Sequence, residues 1–582
     1  MKPTPSTWLV NCGRIAIVVL LAFAAVQSVA AQTSRRMEVT PAQAVVASNG
    51  MVVSQEARAT AIGVDVLKRG GNAIDAAVAV GFAMAVTYPR AGNIGGGGFM
   101  VIRRANGGAI AIDYRETAPQ GIHRDSFLDA NGNADPEKSQ DSALAVGVPG
   151  TVSGLALAHE KFGSGKLSLA DLLAPAIRLA RDGIPLEDDT AASLPGATSR
   201  LGRWAASKKI FFKPDDTVLG AGDRLVQTDL ADTLERIARG GPRGFYEGPT
   251  AEKLAAALQA EGGVMTRDDL KNYQAVLRTP VRGTYRGYDI ISMPPPSSGG
   301  VHLIEMLNIL EGYDLNAIRG DTGAADHLMV EAMKRAYADR AIFLGDPDVV
   351  KVPVAGLTSK SYAAALRAQI DPARARPSTD IRPGEPPPRE GDNTTHFSVI
   401  DREGNAVSNT YTLNLSYGLG MVAEGTGILL NNELDDFAAK PMAPNFFGLV
   451  GTDANAPGPG KRPLSSMTPT IVVKDGKPFL ITGSPGGSRI ITTVLQIITN
   501  VIDRGMTLSE SVSAPRLHHQ WLPDEVVAEP GTPPEVITAL QARGHHVRVG
   551  RNATSANSIA VTAAGFAGVP DPRTRGALAA GY

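Results

Sequence analysis

The chain has 582 residues, 43% hydrophobic and 20% charged, which is ordinary globular composition. A formal net charge of −1 and a pI near 6.8 leave no basic face for nucleic acid and indicate no polyanion partner. Length alone suggests three or four domains, and no internal repeat is visible.

Lys2 and Arg14 precede the apolar run Ile15 to Val26, and the small residues Ser28-Val29-Ala30-Ala31 follow it. The run is too short to span a bilayer comfortably, and the order of basic, apolar and small segments is that of a cleaved secretory leader. Residues 1–31 are therefore expected to be a signal peptide, removed on export to the periplasm or beyond; an uncleaved leader serving as a membrane anchor is the competing reading. The single cysteine, Cys12, lies inside this leader, so the mature protein has no thiol to pair in an oxidising compartment.

Apolar spacing predicts a helix from Ala57 to Lys68, closed by Gly70-Gly71-Asn72, and a second from Ala73 to Val86 made almost wholly of small and apolar residues, hence buried. Asn93-Ile94-Gly95-Gly96-Gly97-Gly98 then leads into a predicted strand, Met100 to Arg103. A phosphate loop would follow a strand, open a helix and carry a lysine. This run does none of these and reads as close backbone packing beneath a site. The next predicted strand, Ala109 to Tyr114, delivers Arg115 and Glu116; alone, an arginine there means a surface charge. Residues 140–390 read as scaffold, with long amphipathic helices such as Ala325 to Phe343 and a turn cluster, Met293 to Gly300, whose serines have no local base. His302, His327, His518 and His519 do not fall at metal-ligand spacing with cysteine or paired carboxylates. Neither a metal nor a cofactor is expected.

Pro377 to Asn393 is rich in proline and charge and is written as a connector without a core. Immediately after it, Thr394 to Ile400 and Ala406 to Asn414 alternate polar and apolar residues around Asp401-Arg402-Glu403-Gly404-Asn405, a hairpin with a five-residue loop. Pairing Ile400 with Ala406 sets Thr394 opposite Thr412 at the open end. Two threonines in a strand are commonplace, but a strand that starts abruptly after such a connector suggests a chain cut between Asn393 and Thr394. The cut would create chemistry. A terminal α-amine has a pKa of about 7.7 to 8.0, against about 10.4 for lysine, so Thr394 would carry its own general base near neutral pH.

Beyond the hairpin, Gly425 to Asn432 predicts a further strand, followed by Glu433, Asp435 and Asp436, by default an exposed acidic turn. Pro441 to Thr452 is a proline- and glycine-bounded loop carrying Phe446 and Phe447, and Ser465-Ser466 lies in the next loop. Asp475-Gly476 turns a second hairpin, whose strand Phe479 to Thr482 runs through Gly483-Ser484-Pro485-Gly486-Gly487 into a helix from about Ser488 to Asp503. A glycine pair at a strand-to-helix turn presents backbone N–H groups where the helix dipole is positive, which suits Gly486 and Gly487 to an oxyanion hole. The rival, a serine-hydrolase elbow at Ser484, is weakened because Thr482 stands where its first glycine belongs.

The runs TTHFSVID and TYTLN, ILLNNELDDFAAKP, KRPLSSMTPT and ITGSPGGSRIITTVLQ together resemble, in the same order, the γ-glutamyltranspeptidases or glutathione hydrolases of the N-terminal-nucleophile superfamily, from about residue 38 to Gly581-Tyr582. The resemblance implies an α/β (α+β) fold, a four-layer αββα sandwich shared by a large fragment, 32–393, and a small catalytic one, 394–582, and it overrides the domain count suggested by length. It implies that Thr394 attacks the γ-glutamyl amide of glutathione or a related donor, that Thr412 orients the nucleophile, and that Arg115, Ser465 and Ser466 hold the α-carboxylate. Glu433, Asp436 and Asn414 would hold the α-ammonium. Bacterial members of the family often close a lid over this pocket with a tyrosine; Phe447 stands there instead, and Phe447→Tyr is expected to change the ratio of transfer to hydrolysis. Acceptors would be water, amino acids or peptides. Three alternatives stay in view: a glutaryl-type cephalosporin acylase of the same superfamily, an uncut exported protein that only binds γ-glutamyl compounds, and a structural envelope protein, which no repeat or low-complexity segment supports.

Overall fold

Period-two alternation builds the centre of the molecule. The computed structural model describes residues 41–382, 394–446, 448–449, 452–551 and 553–582. In it, fourteen strands form two antiparallel seven-stranded sheets. In chain order these are β1 Val45–Ala47, β2 Gly50–Ser54, β3 Gly97–Arg103, β4 Ala109–Tyr114, β5 Val276–Arg278, β6 Val281–Tyr285, β7 Tyr288–Ser292, β8 Thr395–Asp401, β9 Ala406–Thr412, β10 Thr470–Lys474, β11 Lys477–Thr482, β12 Ser558–Thr562, β13 Gly565–Val569 and β14 Leu578–Gly581. The first sheet has the order β14-β2-β8-β9-β3-β4-β5, the second β1-β13-β12-β11-β10-β7-β6.

Successive side chains on a strand face opposite ways, and the burial follows that rule. Met51 and Val53 of β2, Phe99 and Val101 of β3, and Ile471 of β10 meet between the sheets. Val52, Met100 and Ile102 face helices on the outside of the first sheet, as Val472 does on the outside of the second. The first sheet is covered by α1, Ala57–Lys68, and α2, Ala73–Thr87; the second by α3, Gly299–Glu311, α4, Ala324–Phe343, and α5, Arg489–Ile502. Among the described residues the result is the expected αββα sandwich, in one unit rather than the three or four domains that length suggests. Among the described residues no helix is long and apolar enough to cross a membrane.

Local chemistry sets the boundaries. Asn72 caps α2 through the N–H groups of Ile74 and Asp75, and the Asp75 side chain returns the bond to Asn72 N, a reciprocal capping box. Three readings need correction. The predicted strand from Gly425 to Asn432 is instead two short strands, Val422–Ala423 and Ile428–Leu429, because Gly425 and Gly427 take φ of 68° and 67° and turn the chain between them. The helix from Ala324 is not amphipathic: its residues from His327 to Ala341 are buried all round. The connector is ordered at its start, where Ser378–Asp380 forms a 3₁₀ turn and Ser378 is held by Asp524. Residues 1–31, Asn393 and Phe447 lie outside the described residues.

Candidate functional site

The hairpin of β8 and β9 pairs Ile400 with Ala406 and continues outward to Thr395 opposite Tyr411. One step further lies Thr394, just before the strand, in register with Thr412, the last residue of β9. Even-numbered residues here face the gap between the sheets. Ile400 and Ala406 belong to the inter-sheet core, whereas Phe397, Val399, Val407 and Tyr411 belong to the helix side. By that alternation Thr394 and Thr412 share the inner face, and Thr394 is 8% exposed.

His396, on the same face, is fully buried, and that burial lowers its pKa to about 3. Its Nδ1 meets the Thr410 hydroxyl at 2.9 Å and its Nε2 the Ser398 hydroxyl at 3.1 Å. It is a neutral strut, not a base. From β2's end, the Gln55 carbonyl oxygen accepts from the Thr395 hydroxyl at 2.5 Å and from His396 N at 3.2 Å, fixing the start of β8.

The glycine run packs as its pattern implies. A side chain on Gly96 would put its Cβ 2.1 Å from the Thr412 carbonyl oxygen, so only glycine allows this approach. Asn93 donates to the same carbonyl at 2.7 Å, and Gly97 pairs with Thr412 across the sheet. Thr412 Oγ1 in turn accepts from Asn414 N at 2.8 Å, with Asn414 in the left-handed region at φ 71°. The Asn414 side-chain nitrogen donates to Asn432 O at 2.9 Å, which leaves its carbonyl oxygen as the group suited to an ammonium.

The glycines lead from the hairpin to the charged pocket, because Gly97 also lies against Glu116. Arg115 follows directly on β4 and is 1% exposed. Its Nε donates to Pro463 O and one terminal nitrogen to Leu464 O, both at 3.0 Å, while the two terminal nitrogens pair with Glu433 and Asp436. Glu433 and Asp436 sit in a buried 3₁₀ turn, Glu433–Asp436, not in an exposed acidic one. One cation therefore faces two acids inside the site. Glu116, 3.9 Å from Arg115, was not singled out in the sequence and is fully buried. Burial pushes its pKa up to about 7, and it pushes Glu433 and Asp436 upward too, against the pull of Arg115.

The Ser465-Ser466 loop is pinned from behind. Ser298 N and the Ser297 and Ser298 hydroxyls all donate to Ser465 O, at 2.7, 2.9 and 3.0 Å, so the Met293 to Gly300 turn packs beneath the site as expected. Ser466 Oγ accepts from Arg340 of α4 at 2.9 Å. Across the gap, Gly483 lies against the His396 ring and brings the turn to α5 beside the hairpin. Gly486 and Gly487 take φ of 129° and 53°, and the Tyr337 hydroxyl of α4 donates to the Ser488 carbonyl just beyond them. Ser484 is no elbow nucleophile: its hydroxyl donates to Pro485 O at 2.6 Å and accepts from Ser555 N at 3.0 Å.

One group that spacing did not reveal is His327, Glu331 and His545, whose ligand-type atoms lie within 4.8 Å of one another. His327 and Glu331 are one helical turn apart on α4, and His545 arrives from the far end of the chain. The two imidazoles bond to each other at 2.8 Å, and Glu331 pairs with Lys334 and Arg335 at 3.0 and 2.7 Å. Those pairings satisfy the carboxylate and place two cations where a metal would need none. Asp435 and Arg340 also escaped the sequence; the signals present were an unassigned acid within the Glu433–Asp436 turn and a charged residue on a helix lacking a clean polar stripe.

Comparison with known proteins agrees with this geometry. The profile described as Gamma-glutamyltranspeptidase matches residues 59–581. The chain is 54% identical over 538 residues to the glutathione hydrolase proenzyme of Escherichia coli, covering 92% of each. Among solved structures it is similar to a cephalosporin acylase from Bacillus halodurans, with TM-score 0.83, 29% identity and coverage of 93% of this chain and 97% of that one. The Helicobacter pylori γ-glutamyltranspeptidase is 45% identical with TM-score 0.56, over 60% of this chain and 97% of its own. A profile spanning nearly the whole chain, and a relative sharing more than half its residues end to end, carry one conclusion: the chain belongs to the γ-glutamyltranspeptidase family.

Proposed function

We propose that this protein is an autoprocessed γ-glutamyltransferase and glutathione hydrolase whose nucleophile is Thr394. The observation that carries the reading is the hairpin register, with Thr394 and Thr412 at one inner corner and the pocket of Arg115, Glu433 and Asp436 joined to it through Gly97.

In the precursor the Thr394 hydroxyl adds to the Asn393 carbonyl carbon. The C–N bond breaks, the amine is freed, and water cleaves the resulting ester to leave fragments 32–393 and 394–582. In the mature enzyme the amine of Thr394 takes the hydroxyl proton as the oxygen attacks the γ-glutamyl carbonyl. Thr412 orients that hydroxyl, and the N–H groups of Gly486 and Gly487 receive the charge that develops on the carbonyl oxygen; one such donor is worth roughly 10²- to 10³-fold in rate. The amine passes its proton to the departing amine, and a glutamyl ester remains. Water or an amino-acid or peptide amine then attacks that ester.

The donor's α-carboxylate is taken by Arg115, Ser465 and Ser466 and its ammonium by Glu433, Asp436 and the Asn414 carbonyl. A zwitterion suits this pocket because bound donor exchanges internal ion pairs for external ones without adding net charge. By the family resemblance Phe447 is assigned to the lid, and the leader directs the enzyme to the periplasm.

Intact mass spectrometry of the purified protein tests the cut: fragments beginning at residue 32 and at Thr394 are expected, and Thr394→Ala is expected to stay in one piece and inactive. An uncut chain that turns over glutathione at full rate overturns the mechanism, and an uncut chain that only binds donor supports the binding-protein alternative. The acylase alternative gains weight from the likeness to the Bacillus halodurans acylase. Asp436, paired with Arg115, favours a donor with an ammonium. Comparing γ-glutamyl and glutaryl anilides separates the two; equal rates remove the ammonium site.

A further inference from the structure

Behind the serine pair lies a guanidinium with no role in the scheme above. Arg340 is fully buried near the end of α4, next to the buried Asp339 and Ala341. Burying a guanidinium is costly unless it is paired and hydrogen-bonded, and two of its hydrogen bonds lead toward the serine pair. One terminal nitrogen donates to Ser466 Oγ at 2.9 Å, and Nε donates to Ser298 Oγ at 2.9 Å. The Ser298 hydroxyl passes its own proton to Ser465 O at 3.0 Å.

We propose that Arg340 is a positioning residue for donor binding: it orients the Ser466 hydroxyl toward the α-carboxylate and, through Ser298, holds the Ser465-Ser466 turn at the height that carboxylate needs. This rests on the pocket reading given under Proposed function. A guanidinium has donors only, so Ser466 Oγ must accept from it, and the hydroxyl proton is left to point elsewhere. A serine without that partner can turn its proton inward and offer the substrate only a lone pair, which repels a carboxylate. The hydrogen bonds from Arg340 through Ser298 to Ser465 O all run in one direction and reinforce one another. Arg340 also places a second fixed cation behind the pocket, near enough to favour the ionised form of Asp436. Arg115 meets Glu433 and Asp436 directly, so the two arginines divide the work: Arg115 balances the acids, and Arg340 sets the hydroxyls.

The test uses the processed two-fragment enzyme and two anilide donors, γ-glutamyl-p-nitroanilide and 4-aminobutyryl-p-nitroanilide, which differ only in the α-carboxylate. The wild type is expected to favour the first. Arg340→Met is expected to lower kcat/KM for the γ-glutamyl donor at least tenfold, through KM, and for the 4-aminobutyryl donor less than threefold, with Arg340→Lys recovering part of the loss. In a Ser466→Ala background the same Arg340→Met substitution is expected to change kcat/KM less than threefold, because the hydroxyl it orients is gone. Ser298→Ala, a smaller change that serves if Arg340→Met does not mature, is expected to show the same selective loss in weaker form. Equal losses on both donors, or a full tenfold loss in the Ser466→Ala background, overturn the proposal. A wild type indifferent to the α-carboxylate overturns the pocket reading itself, and a scan with the two donors distinguishes these failures before any variant is made.

Discussion

Glu116 illustrates a carboxyl group whose burial outweighs its partners. It is fully buried with Arg115 at 3.9 Å, and burial pushes its pKa up to about 7, against about 4.3 in an unfolded chain. Between those two values the folded protein binds more protons than the unfolded one, so stability falls as pH rises through that window. Glu116→Gln cannot ionise. Thermal unfolding at pH 5 and pH 7 is expected to show the variant gaining on the wild type by a degree or more at the higher pH; parallel curves would mean that Glu116 is already ionised at pH 5. Asp435 is a second acid raised to about 7 by burial, and it holds the Ser139 hydroxyl at 2.6 Å and the backbone N–H of Phe446 at 3.4 Å. Asp435→Ala is expected to loosen the loop around Phe446 and shift the transfer-to-hydrolysis ratio at least twofold. An unchanged product ratio would assign Asp435 to packing alone.

At the scale of elements, the meeting of the glycine run with β9 decides where the threonines stand. Gly96→Ala would drive a methyl group into the Thr412 carbonyl, from 2.1 Å, and overpacking of this kind costs about 1 to 3 kcal/mol. The variant is expected to fold but to process slowly, seen on a denaturing gel as persistent full-length chain; prompt processing would show that β9 tolerates the shift. The hairpin was legible because period-two alternation fixes both faces and register at once: a slip of one residue would have put Phe397 and Val399 between the sheets and Thr394 among the helices. Helix α1 and strand β4 were equally plain, their ends marked by Gly70 and by Arg115. The turn between Val422 and Leu429 was not, since apolar residues on both sides of Gly425 and Gly427 mimic one strand. Nor could α4 be read correctly. Its charged residues imitate a solvated face, whereas Glu331, Lys334 and Arg335 pair with one another inside the protein. The bond from Arg340 to Ser466 spans 126 positions, and no local pattern encodes a contact of that reach.

In the whole molecule, the segments on either side of position 394 are woven together. In the first sheet, β8 and β9 lie between β2 and β3, and in the second, β10 to β13 lie between β1 on one side and β7 on the other. Parting the two fragments would mean breaking a ladder at both flanks of each sheet. After cleavage they are expected to co-elute on size exclusion, without any disulfide, and to unfold in one calorimetric transition. Two separate transitions would show the sheets to be less interdependent than their strand order. Helix α4 adds to the join, reaching the serine loop through Arg340 and the turn before α5 through Tyr337.

The placing of β8 between β2 and β3 by way of β9 also makes maturation self-auditing. If Thr394 is the nucleophile proposed above, residues 50–54 and 97–103 must already be docked on either side before its hydroxyl is aimed at anything, and a nascent, stalled or misfolded copy would stay chemically silent. Under the proposed scheme activity would be granted only to molecules that have finished assembling, and the severed bond would be a permanent receipt that they did.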